Sequence, residues 1–485
     1  MPLTIEQQPI YNIVQSGEEV IYTLADDEVI DPSGSYGHKV KFVAQVYLNT
    51  EVAGIISSSN KIATLKVVPN AVGRGIFNLS PILDPYVSPD YEGGIINSNN
   101  ASFSTYNGAN WTSTTPHLIH QIDHYSTNRN SVRYWKIKFN IEAASSATGA
   151  VDTVTGHLAF SNNMLVFNGV VYDTDILQST TDGFSYNLDY NNFLLNDGSA
   201  KFLTNAPSKL YIGSNDYFTF GFLNQIRLGE TGYSPVGNNT TNGSITSVSI
   251  QFYYNGSTTG AAIVKELSTA TGGIASYEQH SNNRIQYVGV GTGNLIGAGV
   301  TIPANWDYYT VDVIGHSSST CSQTYSFYKQ TDDCKGFEKI RLCWLNKFGV
   351  WDYYNFTKKS VRQLTSKRKS YTQISGDWSG KTYSLKGYRG GQRSYNSKIT
   401  ESIKVNTDYI TEAEAQWLEE LFISNEIYIL NERSTDSSSE GTIRKYIEPV
   451  TLKTSNFTRK TKANNRLIQY TLDLERTKPR NTQRI

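Results

Sequence analysis

The chain has 485 residues, 38% apolar and 18% charged, with 43 Lys and Arg against 43 Asp and Glu and so no formal net charge. That length allows about two to four domains of ~100–200 residues each, and a polar fraction made of uncharged turn formers fits a secreted or particle-bound β protein better than a metabolic enzyme. The charge is polarised: residues 1–334 hold 15 basic and 27 acidic side chains, residues 335–485 hold 28 and 16, so the chain carries either two independently soluble parts or opposite faces that meet between neighbouring copies.

Tyrosine is abundant, at 33 against 7 Trp and 2 Met; its ring packs on a half-buried strand while its hydroxyl stays wet. Cys321, Cys334 and Cys343 form no CxxC pair and read as buried free thiols, not a disulfide framework. The N-terminus has neither a basic n-region nor an apolar h-region. No apolar run approaches the ~20 residues of a membrane span. These features predict synthesis in a cytoplasm and no membrane span.

From the N-terminus, residues 39–48 alternate as a strand, Asn49, Thr50 and Glu51 supply a turn, and 61–70 read as the partner strand. Residues 76–83 predict a strand running into a helical turn, 88–115 a long surface loop rich in Ser, Asn, Gly and Tyr, and 131–140 another strand. Residues 141–160, poor in large apolar groups, read as a loop or linker. Strands follow at 164–172, 209–212, 217–223, 244–254, 284–290 and 308–314, broken by turns such as Asn196-Asp197-Gly198 and Asn242-Gly243, a spacing that suggests a sandwich or jelly-roll.

The last region differs. Residues 339–346 and 350–356 form a hairpin signature about Lys347, Phe348 and Gly349, with aromatics on both arms. A basic stretch comes next, and then the one convincing amphipathic helix. Thr411 is placed as N-cap with Glu414 completing a capping box, and Trp417, Leu418, Leu421 and Phe422 share a face. Strands at 448–453 and 467–475 follow, the second with Ile468, Tyr470, Leu472 and Leu474 alternating with polar residues, before an irregular tail. No fixed-period repeat is visible. The predicted fold class is all-β: several β-sandwich or jelly-roll-like domains, at 1–140, 141–310 and 311–485, with one helix at 411–423.

Chemistry-bearing patterns are few. His117, His120 and His124 would share a helical face, as zinc ligands need, whereas a strand would set His117 opposite the other two; no Glu stands as general base, and a polar surface or core patch is the simpler reading, so no metal is assigned. The glycine-rich run 289–299 superficially resembles a phosphate loop but lacks a Gly-Lys-Ser or Gly-Lys-Thr end and is followed by extended Val300, Thr301, Ile302 and Pro303, so a flexible β-loop is expected and no cofactor. Gly-x-Ser-x-Gly is absent, and no catalytic residue is assigned. Carboxylate pairs from distant strands remain open. From Lys358 to Lys398, eleven basic residues including Lys367, Arg368, Lys369, Arg389 and Arg393 interleave with Tyr371, Trp378, Tyr383, Tyr388 and Tyr395. That mixture suits contact with an acidic neighbour; gripping nucleic acid by backbone charge and stacking is the less favoured reading, and a plain exposed hairpin face is the bland one.

Three stretches resemble structural proteins of tailed bacteriophages, particularly a set from phages of Bacteroidota and marine bacteria. The first is Lys201-Phe202-Leu203-Thr204-Asn205-Ala206-Pro207 followed by residues 215–224. The second is Trp344-Leu345-Asn346-Lys347-Phe348-Gly349-Val350-Trp351-Asp352. The third is the ending, where a helix, two strands and Pro479-Arg480-Asn481-Thr482-Gln483-Arg484 occur in that order. The C-terminal region also looks like the hub domain of distal tail and baseplate proteins, although those begin with the hub whereas here it comes last. The resemblance implies a non-enzymatic virion protein of a tail tip or baseplate, an oligomeric ring or trimer joining the tail to host-recognition parts, with Trp417, Leu418, Leu421 and Phe422 packing the hub helix. Its implied partners are copies of itself and other virion proteins. The alternatives are an adhesin or fibre protein binding host surface glycans, a head or collar decoration protein, and a glycan depolymerase, against which the missing repeat counts.

Overall fold

The computed structural model describes residues 3–26, 29, 37–92, 118–122, 125–172, 175, 179–180, 183–184, 188, 190–193, 200–223, 245–266, 284–315, 320–331, 336–431, 446–458 and 468–478. The chain is an all-β protein of several sheets and few helices, in two compact units: Met1–Thr331 with Leu345–Asp352, and Asp332–Trp344 with Tyr353–Ile485. No helix among the described residues is long and apolar enough to cross a membrane.

The first unit contains two sandwiches. In one, a three-stranded sheet of β1 (Thr4–Gln7), β3 (Ile21–Ala25) and β6 (Arg74–Asn78) shares a core with a larger sheet ordered β2 (Ile13–Gln15), β10 (Met164–Phe167), β8 (Val132–Ala144), β4 (His38–Asn49) and β5 (Lys61–Val67). Register explains the core. Val46 lies opposite Ile137, Ala44 opposite Phe139 and Phe42 opposite Ile141, so period-2 alternation delivers all six to one face. Tyr22 meets them from the smaller sheet, its ring centroid 6.0 Å from Trp135 and 5.5 Å from Phe139. Fully burying side chains of this kind contributes roughly 1.5–3 kcal/mol each.

In the other sandwich, β13 (Lys209–Ile212), β19 (Tyr325–Lys329), β18 (Tyr308–Gly315), β15 (Ile245–Tyr254) and β16 (Ser257–Glu266) form a five-stranded sheet, and β14 (Thr219–Leu223), β17 (Ile285–Gly289) and β7 (Tyr125–Thr127) a three-stranded one. Aromatic rings fill the space between: Phe220 stacks on Phe202 at 4.3 Å and meets Tyr325 at 5.0 Å, and Phe218 meets Phe327 at 5.0 Å. A minor ladder joins β11 (Ser179–Thr180) to β12 (Gly183–Phe184).

Three expectations change. The borders expected at 140 and 310 fall inside β8 and β18, and both flanking stretches share the first unit. Apolar alternation simply continues past Phe139 into Ile141 and Ala143, so β8 runs on. The linker expected at 141–160 is largely β9 (Asp152–Phe160), paired to β8 along the edge that also takes β10. Only Val154 and His157 of β9 are buried, so the strand is held by its ladder and carries little hydrophobic signature. Third, the glycine-rich run contains a short helix, Thr292–Gly297, whose residues Thr292, Gly293, Asn294 and Leu295 are buried. Asn294 accepts from the backbone N–H of Phe218 at 2.8 Å and donates to the Ile122 carbonyl at 2.7 Å. A Cβ on Gly289 would sit 1.7 Å from the Ile122 carbonyl oxygen, and one on Gly291 2.4 Å from the Phe218 nitrogen. Close backbone approach is therefore what these glycines provide.

The second unit is built on one seven-stranded sheet ordered β21 (Trp351–Phe356), β20 (Ile340–Leu345), β24 (Ile427–Leu430), β25 (Ile447–Leu452), β26 (Thr471–Arg476), β23 (Gly391–Asn406) and β22 (Val361–Gln373). The expected hairpin is β20–β21. At its turn Gly349 adopts φ +73°, and the Asn346 side chain accepts from the N–H groups of Phe348 and Val350. The helix runs over Glu412–Ile423. Thr411 Oγ1 accepts from the Glu414 N–H at 3.2 Å, and Glu414 Oε2 accepts from the Thr411 N–H at 2.8 Å, the reciprocal capping box. In the closing segment Ile468, Tyr470, Leu472 and Leu474 are all buried.

Candidate functional site

The outermost pair of this sheet supplies the most distinctive surface. β22 pairs with β23 over its whole length, but β23 pairs with β26 only over Ser402 to Asn406. Toward the tip the two strands therefore continue as a bare ribbon. Every residue of β22 from Val361 to Thr372 is exposed. At ~3.4 Å per residue the stretch from Leu364 to Gln373 extends about 30 Å.

The root of this arm is neutralised and the shaft is not. Arg362 forms ion pairs with Glu338 and, at 3.5 Å, with Glu401; Arg476 pairs with Glu401 at 3.0 Å and Glu448 at 2.9 Å. The Glu338 carboxylate pushes the Arg362 guanidinium further toward its charged form. Beyond the root, residues 363–398 contain eight Lys or Arg and a single carboxylate, Asp377. Asp377 lies 3.5 Å from Arg389, and hydrogen bonds from Ser379 hold it below the usual carboxylate range.

Register sorts the shaft into two unlike faces. Directly opposed residues of an antiparallel pair share a face, and faces alternate along each strand. Lys367 opposes Lys398, Lys369 opposes Asn396 and Tyr371 opposes Arg393. Tyr395 is the extra residue at the bulge facing Lys369 and Ser370, and its ring meets Tyr371 at 6.2 Å. One face therefore carries Lys367, Lys369, Tyr371, Arg393, Tyr395 and Lys398. The other carries Ser366 with Ile399, Arg368 with Ser397, and Ser370 with Ser394.

The tip is structured. A turn closes through reciprocal backbone bonds between Asp377 and Ser384. Trp378 Nε1 donates to the Ser375 carbonyl at 3.0 Å, and its ring lies 5.0 Å from that of Tyr383. Gly376 adopts φ +76° with Tyr383 packed where a Cβ would stand. Despite this order, Ile374, Trp378, Leu385 and Tyr388 are 74%, 66%, 76% and 68% exposed.

Of the residues singled out from sequence, Lys367, Lys369 and Arg393 come together on one face, Arg368 lies on the other, and Arg389 belongs to the tip. The helix residues behave as a packing set: Trp417, Leu418 and Leu421 are buried and Phe422 half-buried. The ring of Trp417 lies 5.1 Å from Trp344, and that of Phe422 lies 5.5 Å from Phe457. His120 is buried in a 3₁₀ turn, edge-on to Trp351 at 5.0 Å, while His117 and His124 lie outside the described residues. No metal-holding cluster occurs among the described residues. Cys321 and Cys343 are both buried, and burial pushes the Cys343 thiol up; Cys334 lies outside the described residues.

A second surface escaped the sequence reading. Across the outer face of the five-stranded sheet, Tyr253 opposes Tyr308, Tyr308 opposes Tyr328, and Tyr328 opposes Tyr211. Ring centroids are 4.7 Å apart with planes 5° apart, then 5.1 Å and 22°, then 6.1 Å and 47°. Carbon contact distance is ~3.5–4.0 Å, so the first three rings overlap as shingles, and Lys209 Nζ lies over the Tyr328 ring, 4.7 Å from its centroid. The parallel row of Gln251, Thr310, Ser326 and Lys209 forms a polar shelf beside them. Only the register, which no local pattern encodes, aligns these tyrosines.

No known protein family matches the chain, and no curated protein does. Solved structures give distant likenesses only. A trypsin-activated alpha-2-macroglobulin from Escherichia coli is 9% identical, covering 83% of this chain and 22% of that one, at a TM-score of 0.17. A Salmonella alpha-2-macroglobulin mutant is 8% identical, covering 84% and 25%, at 0.17. Fibronectin(III)-like modules of Clostridium thermocellum CbhA are 7% identical, covering 69% and 98%, at 0.13. The chain spans about a quarter or less of the length of either macroglobulin.

Proposed function

We propose that this chain is a non-enzymatic virion structural protein of a tailed phage. In this reading it sits at the tail tip or baseplate and forms an oligomeric ring or connector that links the tail to host-recognition components. The observation that carries the assembly role is the arm: an ordered ribbon, bare on both faces, whose shaft cations have no carboxylate partner among the described residues and whose tip exposes large apolar side chains. A solitary protein gains nothing from such a surface, whereas a subunit can bury it against a neighbour. The phage assignment rests on the three stretches of sequence resemblance. Imaging of whole particles carrying a tagged copy tests it: label at the tail end in a ring of copies is expected, and particles without the chain would end this reading.

A second reading is favoured by the tyrosine row. Shingled aromatic faces beside a polar shelf suit a sugar chain, which stacks its C–H faces and hydrogen-bonds its hydroxyls. On that reading the chain is an adhesin for host surface glycans. Glycan-array binding that Tyr308→Ala removes would favour it; an array with no signal would set it aside.

A further inference from the structure

We infer that the arm docks, through the face bearing Lys367, Lys369, Tyr371, Arg393, Tyr395 and Lys398, onto the acidic first unit of a second copy of this chain. The inference rests on the assembly reading above and adds to it the partner and the face that meets it.

The argument begins with the ladder. Lys367 and Lys398 are directly opposed on an exposed ribbon, and like charges so placed destabilise the strands that carry them. Among the described residues none of Lys367, Lys369 or Lys398 has a carboxylate within ion-pair distance. A surface built against its own stability marks a site where a partner supplies what is missing. What is missing is negative charge beside apolar area for Tyr371 and Tyr395.

The chain itself contains the complement. By sequence the first unit carries 26 acidic and 16 basic side chains, and the second carries 17 and 27. Opposed potentials of this kind steer encounter and fix which surfaces meet. Two arms cannot meet face to face, because the basic face would oppose itself. The contact is therefore arm on first unit, which two copies exchange reciprocally in a twofold dimer or which runs head-to-tail into a ring or filament.

Sedimentation of the purified full-length chain at ~50 mM and ~500 mM salt, where screening lengths differ several-fold, tests the inference. Two variants make it specific. Lys369→Glu and Arg368→Glu change the same charge at adjacent, exposed positions on opposite faces, and circular dichroism checks that both fold. Self-association at low salt, weakened at high salt, is expected. Lys369→Glu should weaken it by about tenfold or more and Arg368→Glu by less than about threefold. Equal effects of the two variants, or a monomer at low salt, would overturn the inference. So would binding of a single-stranded oligonucleotide that Lys369→Glu abolishes in a chain that does not self-associate. The particle assignment is read from tagged virions and this contact from purified protein, so either can fail without the other.

Discussion

Asp90 ties together parts of the first unit that lie far apart in sequence. Its carboxylate accepts from the N–H groups of Arg129 and Asn130 at 3.1 and 2.7 Å and from the hydroxyls of Ser131 and Tyr287 at 2.6 and 2.8 Å, and its backbone carbonyl accepts from Trp351 Nε1 at 2.9 Å. Asp90→Ala would strand two buried hydroxyl donors, of Ser131 and Tyr287, each worth about 1–3 kcal/mol when unsatisfied, and two part-buried N–H groups, of Arg129 and Asn130. The unfolding transition of the first unit should therefore lose about 3 kcal/mol or more; a loss under about 1 kcal/mol would show that water replaces the carboxylate. Burial lifts the Asp90 carboxyl above its ordinary 3.8, against the opposing pull of these hydrogen bonds. A raised folded-state value means that the fold holds the proton more readily than the unfolded chain. The group's contribution to stability is then complete below the unfolded value of ~4 and is lost as pH rises through the raised one. Asp90→Asn should flatten that part of a stability–pH curve. At Thr411, replacement by Ala removes one side of the capping box and should cost about 1 kcal/mol, read from denaturant midpoints of the second unit.

At the scale of elements, what could be read in sequence depended on which signal each element carries. The helix was legible because cap and apolar face are local, and the β20–β21 hairpin because Asn346 and Gly349 carry their own turn chemistry. The alternation of Ile468, Tyr470, Leu472 and Leu474 revealed a half-buried face in the same way. β9 was missed because an edge strand with two buried side chains has little alternation to show. β22 and β23 showed as a basic run, with an exposed hairpin face as the bland reading, since neither buries an apolar face along the arm. Their register splits Lys367 and Lys369 from Arg368, which composition had grouped together. The opposed pair Lys367 and Lys398 yields a prediction for the arm. Lys398→Glu converts repulsion into a cross-strand ion pair and should stabilise the shaft by about 0.2–1 kcal/mol, seen as slower amide exchange in β22 and β23. The same change should weaken self-association. An arm that becomes both steadier and a better binder would contradict the idea that its charge is kept for a partner.

On the scale of the whole molecule, rigid sandwiches and a helix-backed sheet present surfaces, and the charge on those surfaces is divided along the sequence. The division was legible from composition; the arm that displays its basic part was not, because its projection depends on where pairing with β26 stops. The most direct measurement joins the two. Carboxyl-to-amine cross-linking of an assembly made from equal parts of isotopically light and heavy chains separates contacts between copies from those within one. The account predicts mixed-isotope links from Lys367, Lys369 or Lys398 to Asp or Glu residues in 1–334. Links from those lysines found only within single chains, or only to acidic residues in 335–485, would contradict it.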